Sequence, residues 1–328
     1  MRRRRFRLGA LLIALVAAGS PASAQDGNQV EEGGATFLLI PVGARAAALG
    51  QAAIADYGTS ESAFWNPAGL ALIPDPELAI HFASTFASDN TAITAQFPTR
   101  RLGVLGIAAY LVDFGSQEVV LGPGAPSGRI SLKNIELLAS WATELIGNLA
   151  LGVNYKLIQF RQDCSGDCGT VRTVVGTTHG VDIGAQYAFG ASENLRIGLA
   201  VRHAGFKLQL ENRDQADPLP TRVQIGVSWR LYLPQPKDAT QRLDARILFD
   251  LQEAWGQYDN PDARLGVELG YGQAIRLRAG YAFLHSESRG PSIGAGLRFG
   301  RIALDIARIF YSSSNFDEPF YASLRAIL

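Results

Sequence analysis

The sequence predicts an all-β chain closed into a transmembrane antiparallel up-and-down β-barrel of about 14 strands. Three observations carry this. Apolar residues recur at every second position through most of the chain. Glycine is abundant, with 35 residues, while charged residues are only 18% against the ~25% of ordinary globular domains. After the N-terminal leader, no apolar run reaches the ~18 residues of a membrane-spanning helix. The longest candidate, 102–112, is too short. In lipid, a chain without spanning helices satisfies its backbone only as a closed barrel.

The leader comes first. Arg2, Arg3, Arg4, Arg5 and Arg7 form a basic region, residues 8–18 an apolar one, and Ala22-Ser23-Ala24 a small-x-small cleavage site. This is the pattern of a secretory signal peptide over 1–24. Without those five arginines, 25 basic residues face 30 acidic ones, a net charge of −5. No basic patch suits nucleic acid.

The barrel is assigned to 76–328. In Ala263–Tyr271, Leu265, Val267 and Leu269 point one way and Arg264, Gly266 and Glu268 the other. Leu277, Ala279 and Tyr281 likewise alternate with Arg276, Arg278 and Gly280. Such alternation marks strands with one apolar and one polar face. Two features favour a barrel in lipid over a soluble sandwich. Apolar faces end in aromatics, among them Tyr187, Phe189, Trp229, Tyr271, Phe283 and Phe299, as interfacial girdles do. The opposite face mixes glycine with charges of both signs, which suits a crowded lumen.

Fourteen strands are expected near 78–86, 91–98, 102–112, 132–143, 147–160, 179–189, 194–204, 219–230, 243–253, 262–271, 274–285, 291–299, 301–310 and 319–328. Long connections at 113–131, 161–178 and 205–218 read as outer loops, and Gly272-Gln273 and Gly300 as short periplasmic turns. The stretch 231–242, with Pro234 and Pro236, would be a long periplasmic exception.

Residues 25–75 do not alternate and read as a plug or hatch segment with short helices. Small residues dominate it, so its backbone can pack closely. Asn66 is placed to cap a short helix that starts at Pro67. The run from Phe37 to Ala52, followed by Phe64-Trp65-Asn66-Pro67-Ala68-Gly69-Leu70, resembles the N-terminal signature of PorV/PorQ-type outer-membrane proteins, within the wider FadL-like barrel superfamily. Pro41 and Ala48 stand where that signature has Gly and Met. The resemblance implies a fourteen-stranded barrel with an N-terminal hatch whose motif residues are Gly43, Arg45, Gly50, Trp65, Asn66, Pro67 and Gly69. These either seat the hatch or take part in gating, and seating is the simpler role.

Other candidate residues are few. Cys164 and Cys168 fall in the expected loop 161–178, and in an exported chain they read as a disulfide. The four histidines, His81, His179, His203 and His285, lack metal-ligand spacing, so no metal and no cofactor is expected. No catalytic constellation stands out, and the chain does not read as an enzyme. The lumen-facing charges include Asp182, Arg196, Arg202, Arg222, Arg230, Asp244, Arg246, Asp250, Arg264, Glu268, Arg276, Arg278, Arg298 and Asp305. Their mixed signs favour interior ion pairs over a selectivity path, which would show one dominant sign.

Three functions remain open, all in the outer membrane of a Gram-negative-type bacterium and in contact with its lipid. The PorV-like reading is assistance to type IX-like protein export, with exported proteins or secretion components as partners. The FadL-like alternative is uptake of hydrophobic small molecules through an apolar pocket near the hatch, lined by residues such as Phe64 and Trp65. The third is a scaffold barrel that conducts nothing.

Overall fold

The computed structural model describes residues 34–145, 148–190, 193–210, 216–233, 242–285, 289–312 and 318–328. The signal peptide expected at 1–24 and the first part of the hatch segment, 25–33, lie outside the described residues.

Fourteen strands form one closed antiparallel barrel. They are β1 (Glu77–Ser84), β2 (Asp89–Thr99), β3 (Gly103–Val119), β4 (Gly128–Glu144), β5 (Leu149–Gly166), β6 (Val174–Phe189), β7 (Leu195–Gly205), β8 (Arg222–Tyr232), β9 (Leu243–Ala254), β10 (Asp262–Tyr271), β11 (Ile275–Phe283), β12 (Gly290–Phe299), β13 (Ile302–Ile309) and β14 (Phe320–Ile327). Each pairs with its neighbours in sequence, and β1 closes on β14, with Ile80 opposite Leu324. Closure leaves the sheet with no free edge, which is what lipid demands of a β-protein.

The alternation sorts the two faces of the wall. Leu78, Ile80, Phe82, Ile93, Ile107, Leu137, Ile183, Leu199, Ile225 and Leu277 are exposed large apolar side chains on the outside. So continuous an apolar exterior is a surface for lipid, not water. Exposed Phe97, Trp141, Tyr187, Phe189, Trp229, Tyr271 and Phe299 ring the end where the connections are short. Phe82, Phe283 and Phe320 mark the opposite boundary. At the short-turn ring the Trp141 indole N–H donates to the Leu102 carbonyl at 2.7 Å.

Two expected outer loops are corrected. Most of 113–131 and 161–178 is strand. β3 runs on to Val119 and pairs with β4 as far as Gly128, while β5 reaches Gly166. These hairpins project past their neighbours, since the β2–β3 pairing stops at Asp113 and the β6–β7 pairing at Gly180. Alternation reports what faces lipid. Beyond the membrane both faces meet water, so the pattern disappears while the backbone ladder continues. Cys164 therefore lies in β5 opposite Ile130, and its disulfide to Cys168 ties down the hairpin tip. The connection expected at 205–218 runs from 206 to 221, and part of it folds inward, with Leu208 and Leu219 buried. Most of the long connection expected at 231–242 lies outside the described residues, 234–241 among them.

One irregularity sets the chemistry of the lumen. The β6–β7 register shifts between Val181 and Ile183, and His203 takes a left-handed backbone with φ 57°. Strict alternation would send His203 outward. The bulge turns both Arg202 and His203 into the interior, where both are buried.

Candidate functional site

The described hatch, 34–75, occupies the lumen and touches the inner face of most of the wall. It contains two helical turns, α1 (Ala44–Ala48) and α2 (Ser62–Trp65), and 3-10 turns at Thr36–Leu39 and Pro67–Leu72. The last begins as its residues suggest. The Asn66 side chain accepts from the Ala68 N–H at 3.1 Å, and Pro67 fills the first position, where no N–H is needed.

The glycines of the wall have a use that alternation alone does not show. Gly152, Gly184, Gly198, Gly266, Gly280 and Gly294 all face hatch atoms at close range. A Cβ on Gly280 would come within 2.7 Å of the Gly50 Cα, and nearer still to that residue's backbone nitrogen. Gly50 itself turns with φ 64°. Wall and hatch therefore meet backbone to backbone, a distance only glycine allows.

Polar groups of the wall answer the hatch's unpaired backbone. Asp250 accepts from the N–H groups of Ala53 and Ile54 at 2.6 and 2.9 Å. Gln186 donates to the carbonyls of Ile54 and Asp56 at 2.9 and 2.8 Å. Ser292 accepts from Gly50 N–H and donates to the Ala48 carbonyl, each at 3.0 Å. Arg202 donates to the Phe64 carbonyl at 2.7 Å, and Asn154 to that of Ala63 at 2.7 Å. These contacts supply what a non-repetitive segment lacks internally.

Charge completes the seat. Arg45 holds Asp56 at 2.7 Å and also donates to Glu268 on β10. Arg246 on β9 reaches the same Asp56 at 2.7 Å. From Glu268 the chain of pairs continues through Arg278 (2.7 Å), Asp305 (2.6 Å) and Arg325 (3.1 Å) to Glu77 (3.6 Å), whose carboxylate accepts the Ser60 N–H of the hatch at 2.8 Å. A second cluster sits higher. Lys156 lies 2.7 Å from Glu136 and 2.9 Å from Asp182, and Asp182 accepts the His203 N–H at 2.8 Å.

Of the charges placed in the lumen from the sequence, Arg246, Glu268, Arg278, Asp305 and Asp250 thus converge on the hatch, and Asp182 on the second cluster. Arg196 meets the hatch through the Tyr57 ring, over which it stacks at 4.3 Å, and lies 3.5 Å from Glu193. Arg276 pairs with Asp244 at 3.6 Å. Among the described residues Arg264 pairs with Asp262, at 3.8 Å, and Arg222 donates to the carbonyl of its neighbour Thr221. Arg298 is exposed and donates to the Gly300 carbonyl. Among the motif residues, Gly43 lies against the Glu61 side chain, Gly69 against the Asp56 carbonyl, and the Trp65 N–H donates to the Val42 carbonyl at 2.9 Å. Sequence reasoning missed Asp56, Glu61, Glu136, Lys156 and His203. A signal existed for the first two: with Arg45 they are the only charged residues between Ala35 and Leu72.

Glu61 accepts from the Arg45 and Ala46 N–H groups at 3.3 and 3.0 Å, so it anchors the start of α1. Burial, and then the charge of Asp305, push its carboxyl up to about 7, although Arg325 and Arg45 pull the other way and His81 stands 3.8 Å off. Asp56 behaves oppositely. Burial alone would raise it, but Arg45 and Arg246 outweigh that and hold it below its ordinary value of 3.8. For an acid raised in the folded state, the stabilisation is complete below the ordinary value, here 4.5, and is lost as pH climbs through the folded one. Amide exchange across α1, corrected for intrinsic rates, should therefore speed up from pH 5 to pH 8 in the wild type and stay level in Glu61→Gln. Parallel profiles in the two proteins would refute this.

The lumen differs on the two sides of the hatch. Toward the long-loop end, Phe37, Leu38, Phe64, Trp65, Tyr110, Val112, Leu138, Ile158, Leu208 and Leu219 form one buried apolar cluster. Phe64 meets Tyr110 edge-on, with centroids 6.0 Å apart. Phe64 and Trp65, expected to line an apolar pocket near the hatch, belong to this cluster, where both are buried together with Phe37 and Leu38 of the hatch's first turn. Toward the short-turn end opens a cavity of about 1090 Å³. Among the described residues its lining holds eight arginines (Arg45, Arg230, Arg242, Arg246, Arg276, Arg278, Arg298 and Arg325) against Asp244, Glu268 and Asp305.

This geometry matches solved structures. The CymD monoaromatic hydrocarbon channel aligns with a TM-score of 0.60 at 12% identity, over 88% of this chain and 98% of that one. The fold is FadL-like. The Ralstonia pickettii toluene transporter TbuX aligns at 0.58 and 12% identity, over 89% of this chain and 100% of that one. A Pseudomonas aeruginosa FadL homologue aligns at 0.50 and 12% identity, over 88% and 99%. No protein-family model and no curated protein sequence matches the chain. At such identities the FadL-like barrel is shared, while the residues that fill its lumen are this chain's own.

Proposed function

We propose that the protein is an outer-membrane channel for uptake of hydrophobic small molecules, with the hatch as its gate. The apolar, aromatic cluster on the long-loop side of the hatch carries this reading. An apolar solute gains by leaving water for such a lining, at roughly 25 cal/mol per Å² of apolar surface buried. Solved barrels of this fold include a toluene transporter and a monoaromatic hydrocarbon channel. The hatch interrupts the lumen below the cluster, so passage would require it to shift.

A second reading rests on the hatch sequence itself, whose two runs resemble PorV/PorQ-type proteins and point to surface delivery of exported proteins. The same deletion strain tests both. Loss of uptake of a radiolabelled aromatic hydrocarbon, with an unchanged surface and secreted proteome, is the expected result. Normal uptake with loss from the surface of proteins sharing a C-terminal domain would establish export instead. Neither change would leave a scaffold barrel.

A further inference from the structure

We propose that the cationic cavity at the short-turn end binds a small polyanion, one carrying two or more carboxylate or phosphate groups. The site lies across the hatch from the apolar cluster, so the proposal stands independently of the uptake reading.

The argument is one of charge left over. Five of the eight arginines in the lining are matched. Arg45, Arg246, Arg276, Arg278 and Arg325 share Asp56, Asp244, Glu268, Asp305 and Glu77. Arg230, Arg242 and Arg298 have no carboxylate within ion-pair distance among the described residues, yet they line the same cavity. Arg230 is held at the cavity by its terminal nitrogen, which donates at 2.7 Å to the hydroxyl of Tyr57, itself part of the lining.

The chemistry of the lining selects the ligand. Guanidinium groups present forked donors that fit carboxylate or phosphate oxygens two at a time. Low-dielectric walls concentrate the field of the unmatched charges inside the cavity. The chain carries no overall positive charge to explain them, since its acidic and basic residues balance at 30 each. The volume of about 1090 Å³ is at the upper end of small-molecule sites. Tyr57 of the hatch helps to line the cavity, with Arg196 and Arg246 against its ring at 4.3 and 4.9 Å. The cavity opens toward the short-turn end, so a compact anion can enter from that side.

The test is calorimetric titration of the full chain in detergent, in a chloride buffer of low ionic strength. The probes are inorganic pyrophosphate, tricarballylate and hexaglutamate. Saturable binding of pyrophosphate or tricarballylate is expected, and which one binds tells phosphate from carboxylate. Arg242→Gln/Arg298→Gln should weaken it by about tenfold or more, from the lost charge-assisted hydrogen bonds. Arg230→Gln should weaken it too. Unchanged melting of the variants would show that the fold is kept, and if Arg230→Gln melts early the exposed pair alone decides. No saturable binding, binding of hexaglutamate alone, or affinities indifferent to the substitutions would each overturn the proposal.

Discussion

Arg45→Met should unseat the hatch and give a purified protein that conducts in planar bilayers where the wild type stays closed. Arg45 is the one hatch residue among those described that reaches both an acid of its own segment, Asp56, and an acid of the wall, Glu268. All three are buried. Removing one member of a buried ion pair costs about 3–5 kcal/mol, because the remaining charge stays out of water without its partner. Arg246 still holds Asp56 and Arg278 still holds Glu268, which places the loss near the lower bound. Arg45→Lys should rescue only in part, since an ammonium cannot fork between two carboxylates as a guanidinium does. Conductance traces and α1 amide exchange identical to wild type would show that the pair is incidental to seating.

Gly280→Leu should leave the barrel closed and the hatch outside its seat. The new side chain would enter the space held by the backbone of Leu49 and Gly50. An overfilled core usually costs about 1–3 kcal/mol because neighbouring side chains adjust. Here the obstacle is backbone at a left-handed turn, itself bonded to Ser292, so adjustment means displacement. Limited proteolysis should cut the hatch of this variant while the heat-resistant migration of the barrel on gels persists. Gly122→Leu is the control, because nothing lies within 4 Å of a Cβ at that position. If Gly280→Leu resists protease as well as Gly122→Leu does, the close approach of wall and hatch does not hold the hatch in place.

The two sites differ in how much of them could be read in advance. Every strand of the barrel overlaps a stretch of strict alternation, because each membrane-embedded residue faces either lipid or lumen and its chemistry records which. β3–β6 extend past the membrane, where that record ends, and there loops were expected in place of strands. Arg45 is marked only by the motif that resembles PorV/PorQ-type proteins, and Asn66 also by its cap pattern. Asp56 and Glu61 were passed over, although both sit in a segment otherwise nearly free of charge. His203 could not be placed at all, because a single bulge in β7 reverses its direction.

The sequence by itself determined the barrel: strand number, the face most membrane-embedded residues present, and the presence of a small-residue segment unlike the wall. Those properties follow from local periodicity and from the solvent on each side. Only the tertiary structure decided which charges meet, which glycines are the hatch's seat, and that the lumen is apolar on one side of the hatch and cationic on the other. Pairings such as Arg45 with Glu268 join residues more than two hundred positions apart. They depend on how a closed cylinder wraps around a segment that carries no periodic signal of its own.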